Sequence, residues 1–279
     1  MPGDNLKKPP LLTMAPTANA AFIIGGRTID SSLGFTPLDS NRYIPVDPAR
    51  LSMMRFQYEN ASVLFIDEIS MVGSKKLTKI HFRLQDLAYG DKKLMFMGGR
   101  SVVDIGDLWQ LPPIYDSMVF ERNQLDGRPA CAPSHWNENF RIYYLTEKMR
   151  CQNDLHFSSL CDRVARGKIT DEDEIFFRSR IQSTESEKSN ENFKLGKLSI
   201  IVTTNMKRNV INSEKLIQLL PHEKEYSCNS IDRITNLPGG HKVPERLKTN
   251  PGRTGNLETD LRLKVGVPVV LTTNHSKQI

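Results

Sequence analysis

The stretch SVLFIDEISMVGSK, residues 62–75, decides how this chain folds. Its apolar run from Val63 to Ile66 predicts a short buried strand, and two adjacent carboxylates, Asp67 and Glu68, follow the strand directly. Open α/β sheets bind their ligands at the carboxyl ends of the strands. The pair therefore suits an Asp that holds Mg²⁺ beside a Glu that activates water. The simpler alternative is that the two acids only end a strand at the surface.

A second strand leads to polar side chains in the same way. The segment SVVDI, residues 101–105, predicts a strand, and it continues into IGDLWQLPPI, residues 105–114. Asp107 and Gln110 then lie at the edge of the sheet that also carries the first pair, and the two prolines at 112 and 113 fix the chain beyond them. We expect these side chains and the two acids to form one site.

Hydrophobic periodicity predicts alternating strands and helices around this stretch. The predicted elements are a strand at 10–15, a helix at 17–24 ended by Gly25 and Gly26, and an amphipathic helix at 70–88. Strand, helix and strand in this order, with continuous apolar strands, is typical of a parallel sheet covered on both faces. The sequence thus predicts the α/β class.

The second half of the chain repeats this alternation. The predicted elements are a helix with Phe157, Leu160, Cys161 and Val164 on one face that ends at Gly167, a helix at 170–181 with Thr170 as its N-cap, a loop at 182–194, a strand at 198–202, a helix from the turn at 203–205 to Leu220, and a β segment at 261–274 turned at Gly266. Between 221 and 257 the pattern is lost, which leaves an irregular insertion or a flexible linker as alternatives.

Composition sets further bounds. The 279 residues allow one large or two medium domains, and no apolar run approaches the roughly 20 residues of a membrane span, so we expect a soluble protein with no membrane association. A net charge of +6 is compatible with a polyanionic partner. The four cysteines form no C-x-x-C pair and the six histidines are scattered, so the sequence predicts neither a zinc site nor disulfides.

Six blocks of the sequence resemble, in the same order, the Pif-one type of superfamily 1 DNA helicases, which includes relatives in Helitron transposons. The blocks are APTANAAFIIGGRTIDSSLGF (15–35), LFIDEISMV (64–72), GGRSVVDIGDLWQLPPI (98–114), LTEKMRCQNDLHFSSLCDRVARGKITDED (145–173), IIVTTNMKRNVIN (200–212) and LRLKVGVPVVLTTN (261–274). Two adjacent acids are a weak signal alone, but six blocks in family order are a specific one.

The resemblance implies a fold of two RecA-like P-loop NTPase domains with parallel sheets, at residues 1–144 and 145–279, the second containing an insertion around 221–257. It implies ATP hydrolysis with Mg²⁺ in the cleft between the domains, and 5′-to-3′ movement on single-stranded or forked DNA. It further implies roles in DNA repair, recombination and telomere maintenance. Residence in the nucleus is an expectation drawn from the DNA substrate.

The resemblance also implies roles for single residues. Asp67 would hold Mg²⁺, Glu68 would orient the attacking water, and Gln110 would sense the γ-phosphate, with Asp107 beside it at the nucleotide. Arg150 would be an arginine finger that stabilises transition-state charge, unless it is an ordinary surface residue.

Four residues match DNA-contacting segments of the family. Pro16 and Thr17 match its first DNA motif, while Asn205 and Asn212 match a segment of the second domain, where either could equally be a turn or helix residue. Trp109 and Phe35 are candidate platforms for base stacking, although we expect both in the core.

One expected part is missing from the sequence. A phosphate loop of the form G-x-x-x-x-G-K-[ST] does not occur, and in the family it precedes the block that begins at Ala15. Ala18-Asn19, Asp30 and Asp104 also depart from the family pattern, and Asp104 puts a charge into a strand that we expect to be buried. We therefore expect a fragment, lacking the loop at one end and an SH3-like subdomain at the other, with little or no ATP hydrolysis of its own. The alternatives are a nucleic-acid-binding remnant and, less favoured, a nuclease built on Asp67, Glu68 and Asp107.

Overall fold

In the computed structural model of the chain, four parallel strands form the sheet that carries the predicted site. The strands are β1 (Leu11–Ala15), β2 (Arg27–Thr28), β3 (Val63–Ile66) and β4 (Ser101–Asp104), in the order β2-β1-β3-β4. In the register of the three longer strands, Met14 lies beside Ile66 and Ile66 lies beside Asp104. The parallel pairing confirms the predicted α/β class for this part of the chain.

The structure describes residues 10–36, 41–149, 153–181, 200–219, 221–230 and 260–269. The chain divides into two compact units, Met1–Asp173 and Glu174–Ile279. The domain division expected after residue 144 stays a prediction. None of the helices in the described ranges has the length and apolar character that a membrane crossing needs.

The core of the first unit lies on the central strands. Met14, Leu64 and Ile66 are fully buried, whereas β4 alternates between half-buried Val102 and exposed Val103. The expected burial of both faces therefore applies to β1 and β3 better than to β4. This pattern is that of a central pair of strands with a more exposed strand beside it.

Five helices accompany the sheet. They are α1 (Ala18–Ile23), α2 (Ile29–Leu33), α3 (Pro48–Gln57), α4 (Ser74–Leu87) and α5 (Ala132–Asn139). Side-chain oxygens of Thr17, Thr28 and Asp47 accept hydrogen bonds from the first turns of α1, α2 and α3, as N-caps do. The helix predicted at 70–88 begins later, at Ser74, because a separate 3-10 turn at Ile69–Met71 precedes the N-cap Gly73.

Helix α4 is the largest contributor to the core. Its apolar residues Leu77, Ile80, Leu84 and Leu87 are all buried, as their helical spacing predicts. Short elements connect the larger ones: 3-10 turns at Gly90–Leu94 and Phe96–Gly99, and the antiparallel pair β5 (Gln124–Leu125) and β6 (Arg128–Pro129).

Two helices follow, α6 (Leu155–Ala165) and α7 (Asp171–Ser179), and the boundary between the two units falls within α7. The Arg163 guanidinium donates two hydrogen bonds, of 2.7 and 2.5 Å, to the buried carboxylate of Asp173, and it holds the pKa of that carboxyl well below its usual range. Thr170 caps α7 as predicted, since its Oγ1 accepts from the Asp173 N–H. Of the predicted apolar face on α6, only Leu160 is buried.

The second unit contains α8 (Asn205–Leu219) and an antiparallel pair, β7 (Glu225–Asn229) with β8 (Asp260–Lys264). The predicted strand at 198–202 is wrong for residues 200–202, which form no strand, while 198 and 199 lie outside the described residues. The segment expected to be irregular contains β7, so that prediction is wrong for 225–229. Within the described part of this unit the paired strands run antiparallel, so the parallel sheet expected there has no counterpart among them.

The carboxyl end of β8 agrees better with the sequence. The predicted β segment begins at Asp260, and the turn at Gly266 has the positive φ of 89° that favours glycine. Residues 182–194, predicted as a loop, and 270–274 of the β segment lie outside the described residues.

The Asp104 side chain is a buried acid without a partner. Both carboxylate oxygens are inaccessible to water and accept no hydrogen bond among the described residues. Burial raises the pKa of this carboxyl from 3.8 to about 7. Below about pH 7, Asp104 is therefore protonated, and the strand carries a neutral acid in place of the charge that the sequence suggests.

We predict that Asp104 makes the chain less stable as pH rises. The folded state keeps the proton up to about pH 7 whereas the unfolded state loses it near 3.8, so the folded state binds more protons in that window and the free energy of unfolding falls as pH increases through it. At about 1.36 kcal/mol per unit of pKa shift, the full loss is of the order of 4 kcal/mol. Asp104→Asn removes this loss, as measured by urea unfolding at about pH 5 and about pH 8.

The matched control is Asp91→Asn, which makes the same substitution at an exposed acid in the Gly90–Leu94 turn. An unchanged pH dependence in Asp104→Asn contradicts the assignment.

Candidate functional site

The carboxyl ends of β1, β3 and β4 bring six of the predicted residues to one edge of the sheet. They are Pro16 and Thr17 after β1, Asp67 and Glu68 after β3, and Asp107 and Gln110 after β4. Parallel strands end on the same side, so this grouping follows from the strand order. The expectation that these segments meet at one edge agrees with the fold, while the roles of the residues stay predictions.

The end of β3 turns sharply at the two acids. The Asp67 N–H donates to the Met14 carbonyl at 3.0 Å, which continues the ladder between β1 and β3. Glu68 then adopts the left-handed conformation, with φ 54° and ψ 48°, before the 3-10 turn at Ile69–Met71. This conformation is rare for residues other than glycine and concentrates at functional sites. It turns the chain out of the strand direction at the second acid.

Two hydrogen bonds join the loops that follow β3 and β4. The Ile105 N–H donates to the Ile66 carbonyl at 2.8 Å, and the Ile69 N–H donates to the Ile105 carbonyl at 3.0 Å. A Cβ at Gly106 would lie 2.8 Å from the Ile69 nitrogen, so this close approach needs a glycine. The acids after β3 are thereby held at a fixed position relative to the loop after β4.

That second loop is organised by Asp107. Its carboxylate accepts a hydrogen bond from the Trp109 N–H at 3.0 Å, and its carbonyl accepts from the Gln110 N–H at 2.9 Å. The Gln110 side-chain amide lies 3.5 Å from the other Asp107 carboxylate oxygen, at the limit of a hydrogen bond. Asp107 therefore shapes the turn that presents Gln110, and both side chains are exposed.

Asp67 and Glu68 differ from Asp107 in their bonding. Among the described residues, no hydrogen bond or ion pair engages the carboxylate of either residue, and both are half-buried. Mg²⁺ prefers carboxylate oxygens and keeps several waters, so two half-buried carboxylates with no partner among the described residues suit this ion. The donor set therefore fits Mg²⁺, while the role of Asp67 as its ligand stays a prediction.

Thr17 and Pro16 lie at the start of α1. The Thr17 Oγ1 accepts a hydrogen bond from the Ala20 N–H at 3.3 Å, so the hydroxyl serves as a helix cap. Its own proton remains able to donate to a phosphate oxygen. The structural role and the predicted contact with DNA are thus compatible.

The two aromatic candidates behave differently. Phe35 is buried at 8% exposure beneath the Lys76 ammonium and the Arg83 guanidinium, as expected of a core residue. Trp109 is 69% exposed, so the expectation of burial was wrong for it. The reason is the turn at Asp107, which directs the following residues away from the sheet and leaves Leu111, Ile114 and Tyr115 exposed as well.

The remaining predicted residues lie elsewhere. Arg150 lies outside the described residues. Asn205 and Asn212 lie on α8 in the second unit, and both are exposed. Both are therefore helix residues, which was the alternative to a DNA contact, and the Thr204 Oγ1 caps the helix by accepting from the Lys207 N–H at 3.3 Å. The predicted DNA contacts of these two residues stay predictions.

Sequence reasoning missed Asp116, which holds the far end of the loop after β4. Its carboxylate oxygens accept hydrogen bonds from the Lys75 N–H at 3.2 Å and the Lys76 N–H at 3.1 Å, in the first turn of α4. The Asn123 side chain donates to the same carboxylate at 2.9 Å. The N-cap residue Gly73 has no side chain that could accept hydrogen bonds from the first turn of α4. A glycine at this position was the available sign that a distant acid caps the helix.

Comparison with known proteins agrees with this arrangement. A family model for the PIF1-like helicase matches residues 5–175. The ATP-dependent DNA helicase PIF1 of Saccharomyces cerevisiae (strain YJM789) is 27% identical over 267 residues, which cover 93% of this chain and 28% of the yeast protein. The match includes the segments after β1, β3 and β4.

Solved structures are similar in fold. The crystal structure of Pif1 helicase from Candida albicans has a TM-score of 0.66 at 25% identity and covers 93% of this chain and 54% of that chain. Pif1 helicase from Bacteroides in complex with ADP-AlF3 and ssDNA has a TM-score of 0.58 at 22% identity and covers 94% of this chain and 55% of that chain. The chain spans about half the length of these solved proteins, and the likeness supports the expected RecA-like fold.

We predict that Asp116→Ala lowers the free energy of unfolding by about 1–2 kcal/mol, since it leaves N–H groups in the first turn of α4 without an acceptor. Asp116→Asn keeps one acceptor oxygen and loses less. Urea unfolding of the two variants measures the difference. Equal stability of Asp116→Ala and the original chain would show that the cap contributes nothing.

Proposed function

The chain belongs to the PIF1-like helicase family, and on that premise we propose that it contributes the nucleotide-hydrolysing and DNA-contacting parts of an ATP-dependent DNA helicase. The observation that carries the proposal is the grouping of Asp67 and Glu68 with Asp107 and Gln110 at the carboxyl edge of a parallel sheet. The motor would couple ATP hydrolysis to 5′-to-3′ movement on DNA.

The two acids after β3 have distinct tasks in this proposal. Asp67, at the strand end, would hold Mg²⁺, and this ion supplies charge neutralisation at the phosphates when it is bound with ATP. Glu68, turned aside by its left-handed backbone, would accept a hydrogen bond from the attacking water and orient it. Because neither carboxylate is engaged by another described residue, both are available for these tasks.

The loop after β4 would report on the nucleotide. Gln110 would sense the γ-phosphate with its exposed amide, and Asp107 would keep the turn in the shape that presents it. Arg150 would stabilise the charge that develops in the transition state, as a guanidinium does for transferring phosphoryl groups.

Single-stranded or forked DNA is the proposed polymer substrate. The net charge of +6 favours a polyanion, and Pro16 and Thr17 lie at the same edge of the sheet as the nucleotide residues. Asn205 and Asn212 would add contacts from the exposed surface of α8. A similar helicase from Bacteroides has been solved with ADP-AlF3 and ssDNA together.

The cellular setting is proposed on the family alone. It comprises residence in the nucleus, work in DNA repair, recombination and telomere maintenance, and kinship with Helitron helicases. No residue described above distinguishes among these settings.

A second candidate function, for these 279 residues taken by themselves, is nucleic-acid binding without ATP turnover. The observation that favours it is that these residues contain no G-x-x-x-x-G-K-[ST] loop to hold the phosphates. Both candidates use the net positive charge of the chain, and they differ in whether Glu68 has a reaction to catalyse.

We predict that the 279-residue chain hydrolyses little or no ATP by itself, with or without single-stranded DNA, because the charge stabilisation that a phosphate loop provides is missing. The measurement is phosphate release with Mg²⁺ and ATP, using Glu68→Gln as the matched control. Binding of labelled single-stranded DNA is measured in parallel at low and high salt, where affinity falls as salt rises.

DNA-stimulated turnover that Glu68→Gln abolishes would establish the catalytic function in this chain and contradict the prediction of weak hydrolysis. Salt-sensitive DNA binding without turnover agrees with both candidates, because the helicase proposal also expects little hydrolysis from these 279 residues alone. Absence of both turnover and DNA binding contradicts both candidates for the chain as it stands.

A further inference from the structure

Three potential metal ligands converge between α4 and α5, away from the acids after β3. They are His81 on α4, Cys131 at the N-cap of α5, and His135 on α5. One ligand atom from each lies within 4.8 Å of the others. His81 is buried at 6% exposure, and the other two are half-buried, so the cluster is reachable from one side.

The packing of the two helices builds this cluster. The Ala132 N–H, at the start of α5, donates to the Thr78 Oγ1 on α4 at 3.1 Å, which places the beginning of α5 one helical turn from His81. The His135 N–H donates to the Cys131 carbonyl at 3.0 Å, so the thiol and this imidazole lie on the same side of α5. The two imidazole rings are 4.5 Å apart between centroids.

We propose that His81, Cys131 and His135 bind a zinc-type transition-metal ion, with water in the fourth coordination position. A tetrahedral site with Zn–N near 2.0–2.1 Å and Zn–S near 2.3 Å places its ligand atoms roughly 3.3–3.6 Å apart. Side-chain rotations that move these atoms by about 1 Å would bring the three ligands to that spacing. Three protein ligands and one open position are the arrangement of zinc sites that are accessible to small ligands.

The ligand types favour this class of metal. Two imidazoles and a thiolate suit Zn²⁺ and its neighbours, whereas Mg²⁺ prefers oxygen ligands such as Asp67 and Glu68. The cluster therefore selects a different ion from the proposed nucleotide site. The proposal does not depend on the helicase function.

The charge states support binding. Burial lowers the pKa of His81 to about 4, and burial also lowers the pKa of His135, so both rings are neutral at physiological pH and offer lone pairs. Burial raises the pKa of the Cys131 thiol, so the thiol is protonated before binding and the metal must displace that proton to solvent, which weakens the affinity. The N-terminus of α5 at Cys131 favours the resulting thiolate.

His81 limits the affinity. Its Nδ1 accepts a hydrogen bond from the Met97 N–H at 3.1 Å, which leaves the ring proton on Nε2 in the metal-free state. Coordination through Nε2 moves that proton to Nδ1 and breaks the bond from Met97. Loss of such an outer hydrogen bond costs roughly 10- to 100-fold in metal affinity, so we expect binding weaker than in a closed structural zinc site.

The test is titration of the metal-free 279-residue chain with Co²⁺, followed by displacement with Zn²⁺. We expect one Co²⁺ per chain with a sulfur-to-metal charge-transfer band, which oxygen ligands at Asp67 and Glu68 cannot give. Cys131→Ser abolishes the band, and His135→Gln weakens binding by at least about 10-fold. Cys161→Ser is the matched control, because it changes an exposed thiol on α6 and leaves the band intact.

His81 is not substituted, because it is buried and accepts a hydrogen bond from Met97. Circular dichroism verifies that the chosen variants keep their helices. A charge-transfer band that survives in Cys131→Ser, a band that disappears in Cys161→Ser, or the absence of any such band in the original chain would overturn the proposal.

Discussion

Strand β3 is held between β1 and β4 by backbone hydrogen bonds on both of its edges. On one side the Asp67 N–H bonds to the Met14 carbonyl, and on the other the Ile105 N–H bonds to the Ile66 carbonyl. A slip of one residue in this register would move Leu64 and Ile66 to the opposite face of the sheet, and the half-buried Val63 and Phe65 would take their places in the core. The burial of the core therefore also fixes where the strands end, and Asp67, Glu68, Asp107 and Gln110 owe their positions to those ends.

Local sequence patterns predicted most strands and helices of the first unit. The apolar runs and helical periodicity of the first unit predicted β1, β3, β4, α1 and the body of α4. A buried face explains the patterns of β1, β3 and α4, whereas Val103 of β4 and Phe22 and Ile23 of α1 are exposed. The misses have local causes. The predicted helix at 70–88 included part of a 3-10 turn whose apolar residues fit the helical spacing. All residues of β7 are exposed, so the segment has no buried apolar face that would predict a strand.

The site was predictable to the extent that its residues follow strands. Asp67, Glu68, Asp107 and Gln110 adjoin apolar runs, and the buried charge at Asp104 was visible because its neighbours are apolar. Asp116 was signalled only by the missing side chain at the N-cap Gly73, and the cluster of His81, Cys131 and His135 had no signal in the sequence. The segments that carry these residues lie 40 to 54 residues apart and meet only after α4, α5 and the loop after β4 have packed. Such contacts leave no periodic trace in the sequence.

The loop after β4 is fastened at both ends, to β3 through Ile105 and to the start of α4 through Asp116. The loop that presents Gln110 therefore spans two fixed points, one at the edge of the sheet and one at the start of α4. Its two ends cannot move apart without breaking these hydrogen bonds.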